Sequence, residues 1–257
     1  MKKVIIVVLC SLFLFTLTPN LSKANSTPYF TDISNSYASA AILELANAGI
    51  INGTGDGTFN PTGEITRQDF AIIMARVLGL DTTTPPSTQT PTFSDVPTNH
   101  YSFPYVEAAA EAGVFDGIGN GQFGLDSSLT KEQLAVVLVN ALGADTSGMG
   151  SSLPFSDSDS ISSWAKDAVA YAADAGLVTG TPDGNFEPLA PAERQEVALV
   201  AKKFIDVLEE SKTEPEPSPI PPIDPAPQPE PEPSPNIPEP QPEPNPNPNP
   251  NPNPNQS

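Results

Sequence analysis

The segment Phe30-Thr31-Asp32-Ile33 returns twice along the chain, as Phe93-Ser94-Asp95-Val96 and as Phe155-Ser156-Asp157-Ser158. An aromatic residue follows each copy, and a glycine, a phenylalanine and a polar residue then come at the same intervals of 12, 10 and 7 residues. Three repeats with a period of 63 to 64 residues result. A period of this length means that one helical or strand unit is built three times and stacked on itself, so the repeats decide the fold.

Each repeat is predicted to form a helix, a glycine-rich loop and a second helix. The first helix is expected near residues 38–48, 103–112 and 165–175, where alanine dominates and a glycine follows. The second helix should start after Thr66, Thr130 and Glu193; Thr130 with Gln133 fits a capping box, and Pro191 is expected in the first turn of the third copy. Apolar residues then recur at helical spacing, which predicts an all-α, pseudo-threefold bundle with a shared core. They are Phe70, Ile73, Val77, Leu134, Val137, Ala141, Val197, Val200 and Phe204.

Composition limits the function. The 257 residues include 31 Asp and Glu against 11 Lys and Arg, a net charge of -20, which argues against binding to nucleic acid. One cysteine and one histidine argue against a disulfide scaffold, a thiolate or multi-histidine metal site and imidazole catalysis. We therefore expect no cofactor and no catalytic residues.

Both ends of the chain differ from the repeats. Residues 1–24 are typical of a signal peptide, with Lys2 and Lys3 before an apolar run and a cleavage site at Ala24. The run is too short to span a membrane, so no span is expected in the mature chain. Residues 211–257 hold 20 of the 32 prolines and are predicted to be either an extended spacer or a plain disordered tail. The repeats then occupy residues 27–84, 92–145 and 153–210.

Three of the few basic residues occupy one position of successive repeats. Arg67, Lys131 and Arg194 each lie in the first turn of a second helix, where the helix dipole disfavours a cation. This placement predicts an anion site made of the basic side chain and the free amides of the helix start. The alternative is a salt bridge to an acid of the neighbouring repeat, at Asp32, Asp95 or Asp157.

Other repeated residues allow two interpretations each. The aromatic rings of Tyr37, Tyr101 and Trp164 are suited either to stacking on a sugar or to simple core packing. The three aspartates could accept sugar hydroxyls or cap a helix. The loop from Asn52 partly fits a calcium-binding EF-hand, but Gly63 stands where the ligand glutamate belongs, so a structural turn and no metal are expected.

The repeats closely resemble S-layer homology domains. The resemblance rests on Phe30-Thr31-Asp32, Gly49-Ile50-Ile51-Asn52-Gly53, Phe59-Asn60-Pro61 and Thr66-Arg67-Gln68-Asp69, with counterparts in the other repeats, and covers residues 27–210. It implies a three-pronged helical spindle around a central three-helix bundle. It also implies non-covalent anchoring to the bacterial cell wall through a pyruvylated secondary cell-wall polysaccharide, held in grooves between the repeats.

The resemblance further implies which residues bind the glycan. They are Arg67, Lys131, Arg194, Tyr37, Tyr101, Trp164, Asp32, Asp95, Asp157, Thr66 and Thr130. Because Lys131 lacks the planar guanidinium and Glu193 would repel an anion, the Arg67 groove is expected to bind best and the Arg194 groove to be weakened.

Three functions remain open from the sequence. The first is a secreted, non-catalytic anchoring module of the cell wall or S-layer, with other S-layer or surface proteins as further candidate partners. The second is a structural protein that presents partners on its proline-rich tail. The third is a wall-active glycosidase, which would need a carboxylate pair in a cleft, although the repeats take up the whole folded region.

Overall fold

A computed structural model describes residues 30–83 and 90–213, with side chains up to residue 210. These ranges contain six α-helices and no strand, which confirms the all-α prediction. The helices are α1 (Ser39–Asn47), α2 (Arg67–Val77), α3 (Phe103–Glu111), α4 (Lys131–Leu142), α5 (Lys166–Asp174) and α6 (Arg194–Thr213). The predicted signal peptide and residues 214–257 of the proline-rich segment lie outside the described residues. None of the described helices is long and apolar enough to cross a membrane.

The first helix of every repeat ends as the sequence predicts. A glycine follows its last turn with a positive φ, for example 72° at Gly49. The amide of Gly49 donates to Ala46 O at 3.0 Å, so it satisfies a carbonyl at the helix end.

The second helices begin in two different ways. The side chains of Thr66 and Thr130 accept hydrogen bonds from backbone amides three residues on, and Thr130 with Gln133 forms the full predicted capping box. The third copy differs from the prediction, because α6 starts at Arg194 and Pro191 precedes it. Pro191 lies in an extended segment that pairs with Thr130, so it cannot serve as a first-turn proline.

The helices pair between repeats in a closed order. The second helix of repeat one, α2, packs on α3 of repeat two, and α4 packs on α5 in the same way. Helix α6 of repeat three returns to α1 of repeat one. Each pair is therefore shared between two repeats, so no repeat can form its packing alone.

The segments that precede the second helices meet in a triangle of backbone hydrogen bonds. Leu129 N donates to Ile65 O at 2.9 Å, Ala192 N to Leu129 O at 2.7 Å, and Ile65 N to Ala192 O at 3.1 Å. All three residues are buried. This triangle is the centre of the predicted threefold arrangement, and of the three second helices α2 and α6 make the larger mutual contact.

The apolar stripe lies where it was expected. Phe70, Leu134, Val197 and Phe204 are fully buried. The loop phenylalanines, such as Phe59 at 2% exposed, also enter the core. The loops that connect the two helices of each repeat are thus fixed to the interior, which positions their backbone carbonyls for the site described next.

Candidate functional site

Three equivalent grooves lie between the repeats, and each draws residues from all three. Groove I has a volume of about 530 Å³, groove II about 420 Å³ and groove III about 580 Å³. A basic residue comes from one repeat, the loop and second helix from the next repeat, and the aromatic residue from the third. The defining residues are Arg194, Asn52, Asp69 and Tyr101 in groove I; Arg67, Asp116, Gln133 and Trp164 in groove II; and Lys131, Thr179, Glu196 and Tyr37 in groove III.

The repeated aromatic residues are open to solvent. Tyr37 is 64% exposed, Tyr101 61% and Trp164 58%. The core-packing interpretation is therefore wrong for these three side chains. A large ring exposed at the same point of each groove needs another reason, and an amphipathic binding surface supplies one.

Arg67 is almost fully enclosed, at 4% exposed. Its Nε and Nη2 donate to Phe123 O and Asp116 O, both at 2.9 Å, and Nη1 donates to Gln133 Oε1 at 3.1 Å. Its guanidinium carbon also lies 5.0 Å from the centroid of the Phe123 ring. Arg67 therefore holds the loop of repeat two against repeat one, and every nitrogen of its guanidinium already has a partner.

Arg194 makes the corresponding contact with less of its side chain. Nε donates to Phe59 O and Nη2 to Asn52 O, each at 2.8 Å, and the guanidinium carbon lies 4.6 Å from the Phe59 ring centroid. Among the described residues Nη1 has no hydrogen-bond partner. Arg194 can therefore hold the loop of repeat one and still offer a donor to groove I.

Lys131 reaches the next loop through an ion pair instead. Its Nζ lies 2.8 Å from Glu187 Oε2, and the Glu187 side chain is 50% exposed. The three basic residues thus join consecutive repeats in cyclic order. The predicted salt-bridge alternative was right to expect contact with a neighbouring repeat but wrong about the partners.

The three aspartates hold the loops of their own repeats. Asp32 Oδ1 accepts from Phe59 N at 2.9 Å and Oδ2 from Asn60 N at 2.7 Å. Asp95 and Asp157 accept from the corresponding loop amides. Partial desolvation opposes ionisation, but these backbone hydrogen bonds outweigh it and lower the pKa of Asp95 and Asp157. The carboxylates are therefore occupied in positioning the loops, rather than in capping a helix.

The amides at the start of the second helices are not free, contrary to the expectation for an anion site. They donate to backbone carbonyls of another repeat, namely Ser127 for Arg67, Ala190 for Lys131 and Gly63 for Arg194, at 2.9 to 3.0 Å. Thr66 and Thr130 use their hydroxyls as helix caps and do not line the three grooves. These three amides are therefore not available to an anionic ligand.

The partly EF-hand-like loop of repeat one forms a closed turn. Asp56 Oδ1 accepts from Thr58 N at 3.2 Å and from the Thr54 hydroxyl at 3.0 Å. Hydrogen bonds from the Thr58 and Thr54 hydroxyls are the main cause that lowers the pKa of Asp56. Its carboxylate therefore serves the turn itself.

The charges differ between the grooves. Groove I contains Arg194 and Arg76 against Asp69, and groove II contains Arg67 against Asp116. Groove III contains two lysines and three glutamates: Lys131, Lys203, Glu187, Glu193 and Glu196. The reasoning that placed Glu193 in the Arg194 groove is thus wrong, because Glu193 lines the groove of Lys131.

Two titratable groups of groove III have raised pKa values, mainly because they are partly desolvated. Burial, opposed by Lys131 and assisted by Glu193 and Glu187, raises the pKa of Glu196. Partial desolvation of the Tyr37 hydroxyl, followed by the carboxylates of Glu196 and Glu193, raises its pKa to about 12. Ionisation of these two side chains is therefore disfavoured, and the neighbouring glutamates add to the effect of desolvation.

Arg76 and Tyr105 line groove I but were not singled out from the sequence. Arg76 corresponds to Asn140 and Lys203, and Tyr105 to Ala41 and Ala168, so arginine and tyrosine each occur at these positions in one repeat of the three. The repeat pattern could not find them, because they make one groove different from the others.

The fold and the grooves define a class: an all-α binding module made of three repeats, with an exposed aromatic residue in each inter-repeat groove. A family model described as the S-layer homology domain matches residues 29–71, 92–135 and 154–198, about half of the chain. The chain belongs to this family, which confirms the resemblance seen in the sequence.

Individual relatives match the chain with moderate identity. An endoglucanase of Bacillus sp. (strain KSM-635) is 33% identical over 201 residues, which is 76% of this chain and 21% of the enzyme. The surface-layer 125 kDa protein of Lysinibacillus sphaericus is 30% identical over 173 residues, 66% of this chain and 14% of that protein. The cellulosome-anchoring protein of Acetivibrio thermocellus is 29% identical over 158 residues, 60% of this chain and 35% of that protein.

These relatives are much longer than the part that they share with this chain. The endoglucanase name carries no evidence for catalysis here, because the match covers only 21% of that enzyme. Family membership supports cell-surface anchoring, in a secreted protein attached to the cell wall or S-layer.

Proposed function

We propose that the chain anchors itself by binding an anionic, pyruvylated secondary cell-wall polysaccharide in the grooves between its repeats. The observation that carries this proposal is the exposed aromatic ring beside a basic side chain in three equivalent grooves. An exposed ring can stack on the apolar face of a sugar, and a guanidinium or ammonium group can take the carboxylate of a pyruvate ketal.

Groove I is the groove best suited to such a ligand. Nη1 of Arg194 has no hydrogen-bond partner in the part of the chain that the structure describes, Arg76 adds a second guanidinium, and Tyr101 supplies the ring. Charge-assisted hydrogen bonds from a guanidinium to a carboxylate are stronger than those between neutral groups. We therefore replace the expectation that the Arg67 groove binds best with a ranking led by groove I.

Grooves II and III are weaker for different reasons. In groove II the guanidinium of Arg67 is committed to the loop of repeat two, so Trp164 contributes more than the charge does. In groove III the glutamates outnumber the lysines, and like charges disfavour an anion. Lys131 and Arg67 thus act mainly as links between repeats.

The proposal is tested by co-sedimentation of the chain, without its predicted signal peptide, with purified wall sacculi. Binding to untreated sacculi should be lost when mild acid removes the ketal pyruvate. Tyr101→Ala should lower the affinity about tenfold, because ring stacking and the groove contacts around it disappear. Tyr37→Ala is the matched control, since it removes an equally exposed ring from groove III and should change the affinity less than twofold.

Two results would contradict the proposal. One is a chain that does not sediment with sacculi at all, and the other is sedimentation unaffected by the removal of pyruvate. Equal losses in Tyr101→Ala and Tyr37→Ala would leave glycan binding in place but refute the ranking of the grooves.

A further inference from the structure

Groove I is lined by a second tyrosine, which has no aromatic counterpart among the described lining residues of the other two grooves. Tyr105 follows Tyr101 by four residues, lines the same groove and is half-buried. The corresponding residues are Ala41 in repeat one and Ala168 in repeat three; both are buried, and neither lines groove II or groove III. Tyr101 and Tyr105 therefore give groove I a longer aromatic surface than the single exposed ring of groove II or groove III.

Arg76 lies against this second ring. Its guanidinium carbon is 5.6 Å from the Tyr105 ring centroid, and Nη1 donates to Ile50 O at 3.1 Å. The corresponding residues also reach a nearby backbone carbonyl, since Asn140 donates to Val114 O and Lys203 to Gly176 O. Only arginine combines this contact with a planar group that keeps further donors available along its edge.

We propose that Tyr105 and Arg76 form a second sugar subsite in groove I, which takes the residue next to the acidic sugar of the wall glycan. This inference rests on the proposed function. The ring of Tyr105 stacks on the neighbouring pyranose, and Arg76 donates to its hydroxyl or acetamido oxygens. The ligand class is therefore a neutral hexose or N-acetylhexosamine linked to the pyruvylated one. Grooves II and III hold a single sugar.

The test compares two synthetic sugars by calorimetry. One is the methyl glycoside of an N-acetylhexosamine that carries a pyruvate ketal, and the other is the same sugar extended by a second N-acetylhexosamine. The full chain carries Tyr37→Ala and Trp164→Ala, which remove the exposed rings of grooves III and II. The measured binding then comes from groove I. The disaccharide should bind about three- to tenfold more tightly than the monosaccharide, which is the range expected for one additional aromatic contact.

Variants then assign this advantage to the subsite. Tyr105→Ala should remove the advantage of the disaccharide, Arg76→Gln should reduce it, and Tyr105→Phe should keep it because the ring remains. Melting curves identify any variant that fails to fold. If Tyr105→Ala fails to fold, Arg76→Gln tests the subsite independently. The subsite is refuted if the two sugars bind equally, or if the advantage survives in both variants. If neither sugar binds the Tyr37→Ala/Trp164→Ala chain, the proposed function fails together with the subsite.

Discussion

Groove I and groove III are made from equivalent parts of the fold but carry opposite charge. In both, a basic residue reaches the loop of the next repeat, and an exposed tyrosine faces it from the repeat after that. Groove I holds two arginines against one aspartate, whereas groove III holds two lysines against three glutamates. The repeats therefore give the grooves the same shape, because their backbones are equivalent. The ligand preference of each groove differs, because it depends on a few side chains.

The largest expected difference concerns the basic residues that join the repeats. Arg194→Ala removes two hydrogen bonds to carbonyls and a ring contact with Phe59, so it should lower the free energy of unfolding by about 2 kcal/mol. Lys131→Ala removes one ion pair to a half-exposed carboxylate, which should cost about 0 to 1 kcal/mol. Urea denaturation of both variants measures the difference.

Arg194→Lys is the control for charge. It keeps the positive charge but loses the planar group that reaches both carbonyls, so most of the destabilisation should remain. Equal unfolding free energies for Arg194→Ala and Lys131→Ala would show that the two residues join their repeats equally strongly. Grooves I and III would then not differ in how their basic residues stabilise the fold.

Much of the fold was predictable because it depends on local patterns. The repeat spacing, the alanine-rich first helices and the Thr130–Gln133 capping box all act within one repeat, and the structure has each of them. Pro191 was misplaced because its conformation is set by pairing with Thr130 of another repeat. Contacts between repeats are long-range, and spacing within a repeat does not reveal them.

The same limit explains the errors about the site. The sequence identified Tyr37, Tyr101 and Trp164 at groove positions, because they recur in register. It placed Glu193 beside Arg194, its neighbour along the chain, whereas the fold places it in the groove of Lys131. The side chain of a basic residue crosses into the next repeat, so sequence neighbours belong to different grooves.

A smaller effect is expected from the charge of groove III. Glu193→Gln removes one carboxylate and retains the oxygen that accepts from Gln195 Nε2 at 2.6 Å. In a chain that also carries Tyr101→Ala and Trp164→Ala, it should raise the affinity for pyruvylated glycan about two- to fivefold. The increase should fall at higher salt, because exposed charges are screened.

Glu111→Gln is the matched control for net charge. Glu111 is exposed at the end of α3 and lines none of the three grooves, yet its substitution changes the total charge by the same amount. Equal increases for Glu111→Gln and Glu193→Gln would assign the effect to the acidity of the whole chain rather than to groove III.

The smallest effect is a pH dependence of stability that arises in groove III. Burial raises the pKa of Glu196, so between its ordinary pKa and the raised value the folded chain binds more protons than the unfolded chain. The contribution of this carboxyl to the unfolding free energy therefore decreases as the pH rises through that window.

Glu196→Gln should remove this loss of stability. Relative to the parent, the variant should therefore be more stable at pH 7 than it is at pH 4. Urea denaturation at both pH values measures the change, with Glu111→Gln as the control for the loss of one negative charge outside the grooves. The prediction fails if the difference in unfolding free energy between Glu196→Gln and the parent is the same at both pH values. The pKa of the Glu196 carboxyl would then not be raised, and the side chain would be better hydrated than its burial indicates.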